Sequence, residues 1–120
     1  MAYKLTTLYG LAHGHAVALC VDAIWPYMIS HTAESEDPRG KEYLDEMFLR
    51  LAQVMGCASS MDGAVKYHEL LERLHLARPE VKSVEELELL ADSVNPERLG
   101  NNPVCLKKEV LRSLYARIAK

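Results

Sequence analysis

The chain has 120 residues, 49% of them hydrophobic and 26% charged, with a formal net charge of -3. That length suits one compact domain, and the balance of apolar and charged residues excludes a disordered chain. The negative charge, with no basic stripe longer than Lys107-Lys108, removes the electrostatic footing for nucleic-acid binding.

Taken in chain order, Lys4 to Tyr9 ("KLTTLY") is the one stretch that alternates with a strand period. From His13 to about Ile29 the apolar residues surround nearly the whole circumference of a helix, which predicts a central one. Pro26 disfavours the helical conformation at Trp25 and lacks a backbone donor, so a kink or early stop is expected there. Ser30 to Gly40 reads as a polar loop. Its acids Glu34, Glu36 and Asp37 lack the glycine turn and terminal glutamate of an EF-hand, and a solvated loop is the better reading.

Leu44, Met47, Phe48, Leu51 and Met55 recur at helical spacing, and Gly56 supplies a stop. A further helix starts near Ser59 or Ser60, where a hydroxyl can accept an orphan amide, and runs through Ala64, His68, Leu71 and Leu74, with Gly63 weakening its first turns. Ser83 to Glu86 has the capping-box arrangement ahead of Leu87, Leu90 and Val94, and Asn95-Pro96 closes that helix. The last helix carries Val110, Leu111, Leu114 and Ile118 on one face, behind a poor N-cap at Lys107. The class is all-α: one domain over residues 1–120, a bundle of about five helices.

Cys20, Cys57 and Cys105 are an odd number of separated thiols without a C-x-x-C pair, which fits a reducing, cytoplasmic setting. Cys20, within the most apolar helix, reads as a small buried hydrophobe. Neither a signal-type leader nor a membrane span is visible, because Asp22 and Pro26 interrupt the longest apolar stretch. Soluble is the expectation, with no membrane partner.

The candidate chemistry lies in "YGLAHGHAVALC", Tyr9 to Cys20. Positions i and i+2 of a helix point about 200° apart, so His13 and His15 cannot share one ion. Their i+4 positions, Val17 and Leu19, offer no ligand. Either both histidines are structural, or His13 is one ligand of a metal whose other ligands lie elsewhere. The positive end of a helix disfavours a second positive charge, leaving an imidazole there able to offer a lone pair. His31, His68 and His75 read as loop or helix-face residues.

The stretch from Met1 to Cys20 resembles the region around the last metal ligand of the iron-dependent (group III) alcohol dehydrogenases, where "HG" opens an apolar helix. His13-Gly14, followed by Ala16 and Ala18, matches that ligand and its small-residue helix. "RLAQVMG" (Arg50 to Gly56) and "NNPVCLKKEVLRSLY" (Asn101 to Tyr115) resemble the family's helix-ending segment and its closing turn and terminal helix. "SVNPERLGNNPV", Ser93 to Val104, resembles members that reduce phosphonoacetaldehyde. A second family histidine close to the metal is matched here by Tyr3, and the preceding metal ligand would fall just upstream of Met1.

The resemblance implies the C-terminal part of the family's helical domain: a metal-facing portion in which His13 holds Fe(II) or another divalent ion. In the full-length family that ion acts with NAD(P) in alcohol and aldehyde oxidoreduction. Val17, Leu19 to Val21 and Ile24 would wall the alcohol side of the cleft. Without the nucleotide-binding domain and the other ligands, the 120-residue chain is expected to be inactive alone and to bind neither cofactor tightly. Apolar surface that once faced the missing part would favour a homo-oligomer. The alternative is a standalone helical scaffold or interaction protein that has lost the chemistry.

Overall fold

The computed structural model describes residues 1–120 and is all-α. Seven helices follow one another: α1 (Ala2–Tyr9), α2 (His13–Ser30), α3 (Gly40–Val54), α4 (Ser60–Arg73), α5 (Val84–Asp92), α6 (Pro96–Leu99) and α7 (Lys108–Ile118). A single 3-10 turn, Thr32–Glu34, and one isolated antiparallel bridge between Ser35 and Val104 complete the regular structure.

The two helices beyond the expected five are α1 and α6. Lys4 to Tyr9 is no strand. It lies in α1, which buries Leu5 (1% exposed) and ends where Gly10, at φ 68°, turns left-handed and its N–H bonds to the Thr6 carbonyl. Alternation over six residues is too short to distinguish the two periods, and no partner strand is there to choose the extended one. Helix α6 is a single turn opened by Asn95, whose side-chain oxygen accepts from the N–H groups of Glu97 and Arg98. Asn95-Pro96 therefore begins a helix rather than closing one, with proline at the position where its missing donor costs nothing.

Pro26 does not stop α2, which continues unbroken to Ser30. The proline removes one donor near the end of the helix, while Trp25 packs with Leu44 and Phe48 of α3 and Ala64 of α4 in a hydrophobic cluster and keeps that end in register. Ser59 caps α4 by accepting from the Asp62 N–H, and Ser83 caps α5 by accepting from the Glu86 N–H. The reciprocal arm of that second box lands one residue early, since the Glu86 carboxylate accepts from Lys82 N–H at 2.7 Å. Lys107 gives α7 no side-chain cap.

Gly63 is a packing residue. A Cβ built on it would lie 2.8 Å from the Ala52 Cβ, so its absence lets α4 approach α3. The molecule measures 37 × 33 × 20 Å, about two helix diameters thick. In a slab that thin α2 cannot be enclosed on every side. It buries Ala16, Leu19, Cys20 and Ala23 and leaves Val17 and Val21 each 37% exposed. The expected central helix is thus central on one face only.

Candidate functional site

The exposed face of α2 forms one wall of a groove of about 830 Å³ running between the start of α1, the middle of α2 and the segment from Ser93 to Leu106. Val17, Val21 and Ile24 line it. His13 lies one turn before Val17 on the same helical stripe but is not itself among the residues that line the groove. Its ring is exposed, and the N-cap position before it is Ala12, which provides no side-chain cap.

The other sequence-flagged groups do not join it. His15 points away, with Nε2 2.7 Å from the Ala77 carbonyl, and ties α2 to the connector between α4 and α5. His31 lies past the far end of α2, its Nδ1 2.7 Å from the Tyr27 carbonyl and its ring stacked on Tyr27 at 3.9 Å. His75 stands exposed after α4 in a left-handed conformation, φ 53°. Cys20 is buried, and burial pushes its thiol up to about 11, as expected of a packing residue rather than a nucleophile. Asp37 of the acidic loop is committed to Arg39, which chelates it at 2.9 and 3.0 Å and covers the Tyr43 ring at 4.1 Å. That bidentate partner pulls the Asp37 carboxyl down to about 2.

The most connected polar cluster is one that no motif announced. Asp22, 8% exposed on the apolar helix α2, accepts from His68 Nδ1 at 2.9 Å and from Arg78 Nη2 at 3.2 Å. Glu72, one turn beyond His68 on α4, lies 3.7 Å from His68 Nε2 and 3.3 Å from the same Arg78 nitrogen. Arg78 Nη1 also reaches the carbonyls of Arg117 and Ile118 at the end of α7. Two carboxylates, an imidazole and a guanidinium thus join α2, α4, the connector and α7 around a polar hollow of about 310 Å³. A buried carboxylate needs such partners, and in supplying them the arrangement clamps four segments together. The one signal available was the lone aspartate in an apolar helix; its partners are 46 and 56 residues away.

These residues do not fit a complete metal site. No group of three or more His, Cys, Asp or Glu side chains is placed to hold an ion, and His13 has no such neighbour.

Compared with known proteins, the chain is 28% identical over 115 residues to a phosphonoacetaldehyde reductase of Streptomyces viridochromogenes. That similarity covers 95% of the chain but 29% of the reductase, so the chain spans less than a third of the length of the relative it matches. No protein-family model matches, and no solved structure does. The similarity supports, loosely, a kinship with oxidoreductases of the alcohol dehydrogenase type. No helix is long and apolar enough to cross a membrane.

Proposed function

We propose that this chain corresponds to the metal-facing helical portion of an iron-dependent alcohol dehydrogenase, working with NAD(P) on an alcohol or aldehyde, phosphonoacetaldehyde being the first candidate. The observation that carries this is the continuity of the match: it covers 95% of the chain against a protein named phosphonoacetaldehyde reductase, without restriction to the His13 motif. The all-helical fold and the apolar groove below His13 support it. His13 contributes one ligand, and the remaining ligands and the nucleotide site belong to polypeptide outside these residues. Metal would supply polarisation of the carbonyl when held by the full set. What this chain contributes is the wall: Val17, Val21 and Ile24 keep water from one side of the reacting carbon.

By itself the chain is inactive, cytoplasmic and self-associating. Its scattered thiols fit a reducing compartment. Exposed apolar side chains such as Tyr3 (75%) and Val54 (87%) favour a homo-oligomer.

The test compares the purified 120-residue chain with a version extended upstream by the preceding coding sequence. Nicotinamide oxidation dependent on phosphonoacetaldehyde is expected from the extended form alone, with bound metal lost in its His13→Ala variant. The short chain is expected to sediment as a dimer or larger. An upstream frame without a glycine-rich nucleotide turn, or an extended form with no activity on any aldehyde, would overturn the reading in favour of a helical scaffold.

A further inference from the structure

The five histidines of the chain differ in what they touch, and only His68 contacts carboxylates. On one side of its ring Nδ1 meets both oxygens of Asp22, at 2.9 and 3.1 Å; on the other, Nε2 lies 3.7 Å from Glu72 Oε1. The two sides are not equivalent. Asp22 is buried on α2 and accepts the Nδ1 proton, which leaves the lone pair of a neutral ring on Nε2. The separation of Nε2 from Glu72 is too long for a hydrogen bond. Both side chains border the polar hollow of about 310 Å³, with half of the imidazole exposed.

His68 and Glu72 stand four residues apart on α4, the spacing at which two side chains of one helix can chelate an ion. No other histidine of the chain has a carboxylate at that spacing in either direction. Donor atoms held by a tetrahedral ion at about 2.0–2.2 Å lie about 3.3–3.6 Å apart, so the observed 3.7 Å asks only a small turn of the exposed Glu72. We infer that His68 Nε2 and Glu72 form an open binding site for a zinc-type divalent cation, with Asp22 orienting the imidazole from behind and water completing the coordination sphere. A carboxylate on the far nitrogen of a metal-bound imidazole fixes the ring and raises its basicity. Arg78 is the opposing charge, its Nη2 3.3 Å from the same Glu72 oxygen. It keeps Asp22 and the carbonyls of Arg117 and Ile118 as partners when Glu72 turns to the ion. The site shares no residue with the groove along Val17 and Val21, and it stands independently of the proposed function. Two side chains leave most of the sphere to water, so the ion exchanges readily and is removed by desalting.

The experiment is a titration of the 120-residue chain with Zn(II), followed by calorimetry and by the ring-nitrogen resonances of His68. The expected result is saturable binding of one ion, with the Nε2 resonance moving and Nδ1 keeping its proton. Affinity should be lost in His68→Ala and fall about tenfold or more in Glu72→Gln and in Asp22→Asn, while His13→Ala and His75→Ala bind as the wild type does. Co(II) should compete for the site and Mg(II), which seeks oxygen ligands, should not. Circular dichroism checks each fold; if Asp22→Asn unfolds the chain, Glu72→Gln and the nitrogen assignment decide. No saturable binding, binding that survives His68→Ala, equal affinity in Glu72→Gln and wild type, coordination through Nδ1, or loss in His13→Ala would overturn the inference. Metal that an upstream-extended form retains after desalting reports on His13, so the two readings fail separately.

Discussion

The two hydrophobic clusters of this molecule are held by different means. The larger gathers twelve buried residues from α1, α2, α5, α7 and the segment before α7, most of them aliphatic, and joins sequence-distant parts: the hydroxyl of Tyr115 donates to the Met1 carbonyl at 2.9 Å. The smaller has five, Trp25, Leu44, Phe48, Ala64 and Val104, and relies on close fit. Gly63 lies against Ala52, Trp25 meets Tyr67 at 5.5 Å between ring centroids, and the Tyr67 hydroxyl donates to the Ala18 carbonyl. Helix α2 belongs to both. Ala16, Leu19, Cys20 and Ala23 face the first, Trp25 faces the second, and Asp22 lies between with its clamp. Burial of area sustains one region and exactness of approach the other, so they should answer differently to a lost methylene and an added one.

The largest effect is expected from Leu19→Ala. Emptying this 1% exposed position should cost about 2–5 kcal/mol in urea unfolding. Trp25 is the only tryptophan and reports on the second cluster, so its fluorescence and the helical circular dichroism should shift together if α2 couples the two. Separate midpoints would show two independently unfolding regions.

A second test uses Cys20. Burial raises its thiol from 9.0 to about 11 in the fold, so the protonated thiol is the form that folding favours. The associated stability is complete below the unfolded value and is lost as pH climbs from about 9 through 11, roughly 2 kcal/mol at the upper end. Unfolding curves across that range should fall more steeply for the wild type than for Cys20→Ala. Parallel curves would remove the thiol from the larger cluster's balance.

The smallest effect is expected from Gly63→Ala. Alanine gains about 1 kcal/mol in helix propensity. The new methyl group would nevertheless sit 2.8 Å from the Ala52 Cβ and 3.0 Å from its Cα, which are backbone-anchored and cannot swing aside. Overpacking of this kind costs about 1–3 kcal/mol, leaving a net loss of about 1 kcal/mol confined to the second cluster. Pairing it with Ala52→Gly should recover part of the loss; equal stability of the single variant and wild type would show that α3 and α4 slide apart freely.

Much of this organisation was legible beforehand. The stripe on α7, the serine caps at Ser59 and Ser83 and the stop at Gly56 are local, set by side chains within a turn of one another, and they are found where their spacing puts them; on α3 the buried stripe is Leu44, Phe48 and Ala52, with the expected Leu51 49% exposed. The separation of His13 from His15 followed from helix geometry for the same reason. The short elements were harder. Lys4 to Tyr9 is helical because Leu5 enters the larger cluster, and Pro26 is accommodated because Trp25 is anchored, neither of which a local window contains.

The sequence by itself determined the helical class, most helix ends and the place of His13 at the mouth of an apolar helix, since hydrogen bonding and periodicity act over a few residues. Only the tertiary structure decided that α2 is open along Val17 and Val21 and that Asp22 is satisfied by His68 and Arg78. Those arrangements depend on which helices meet. That choice is made by burial summed over the whole chain, and no local spacing encodes it.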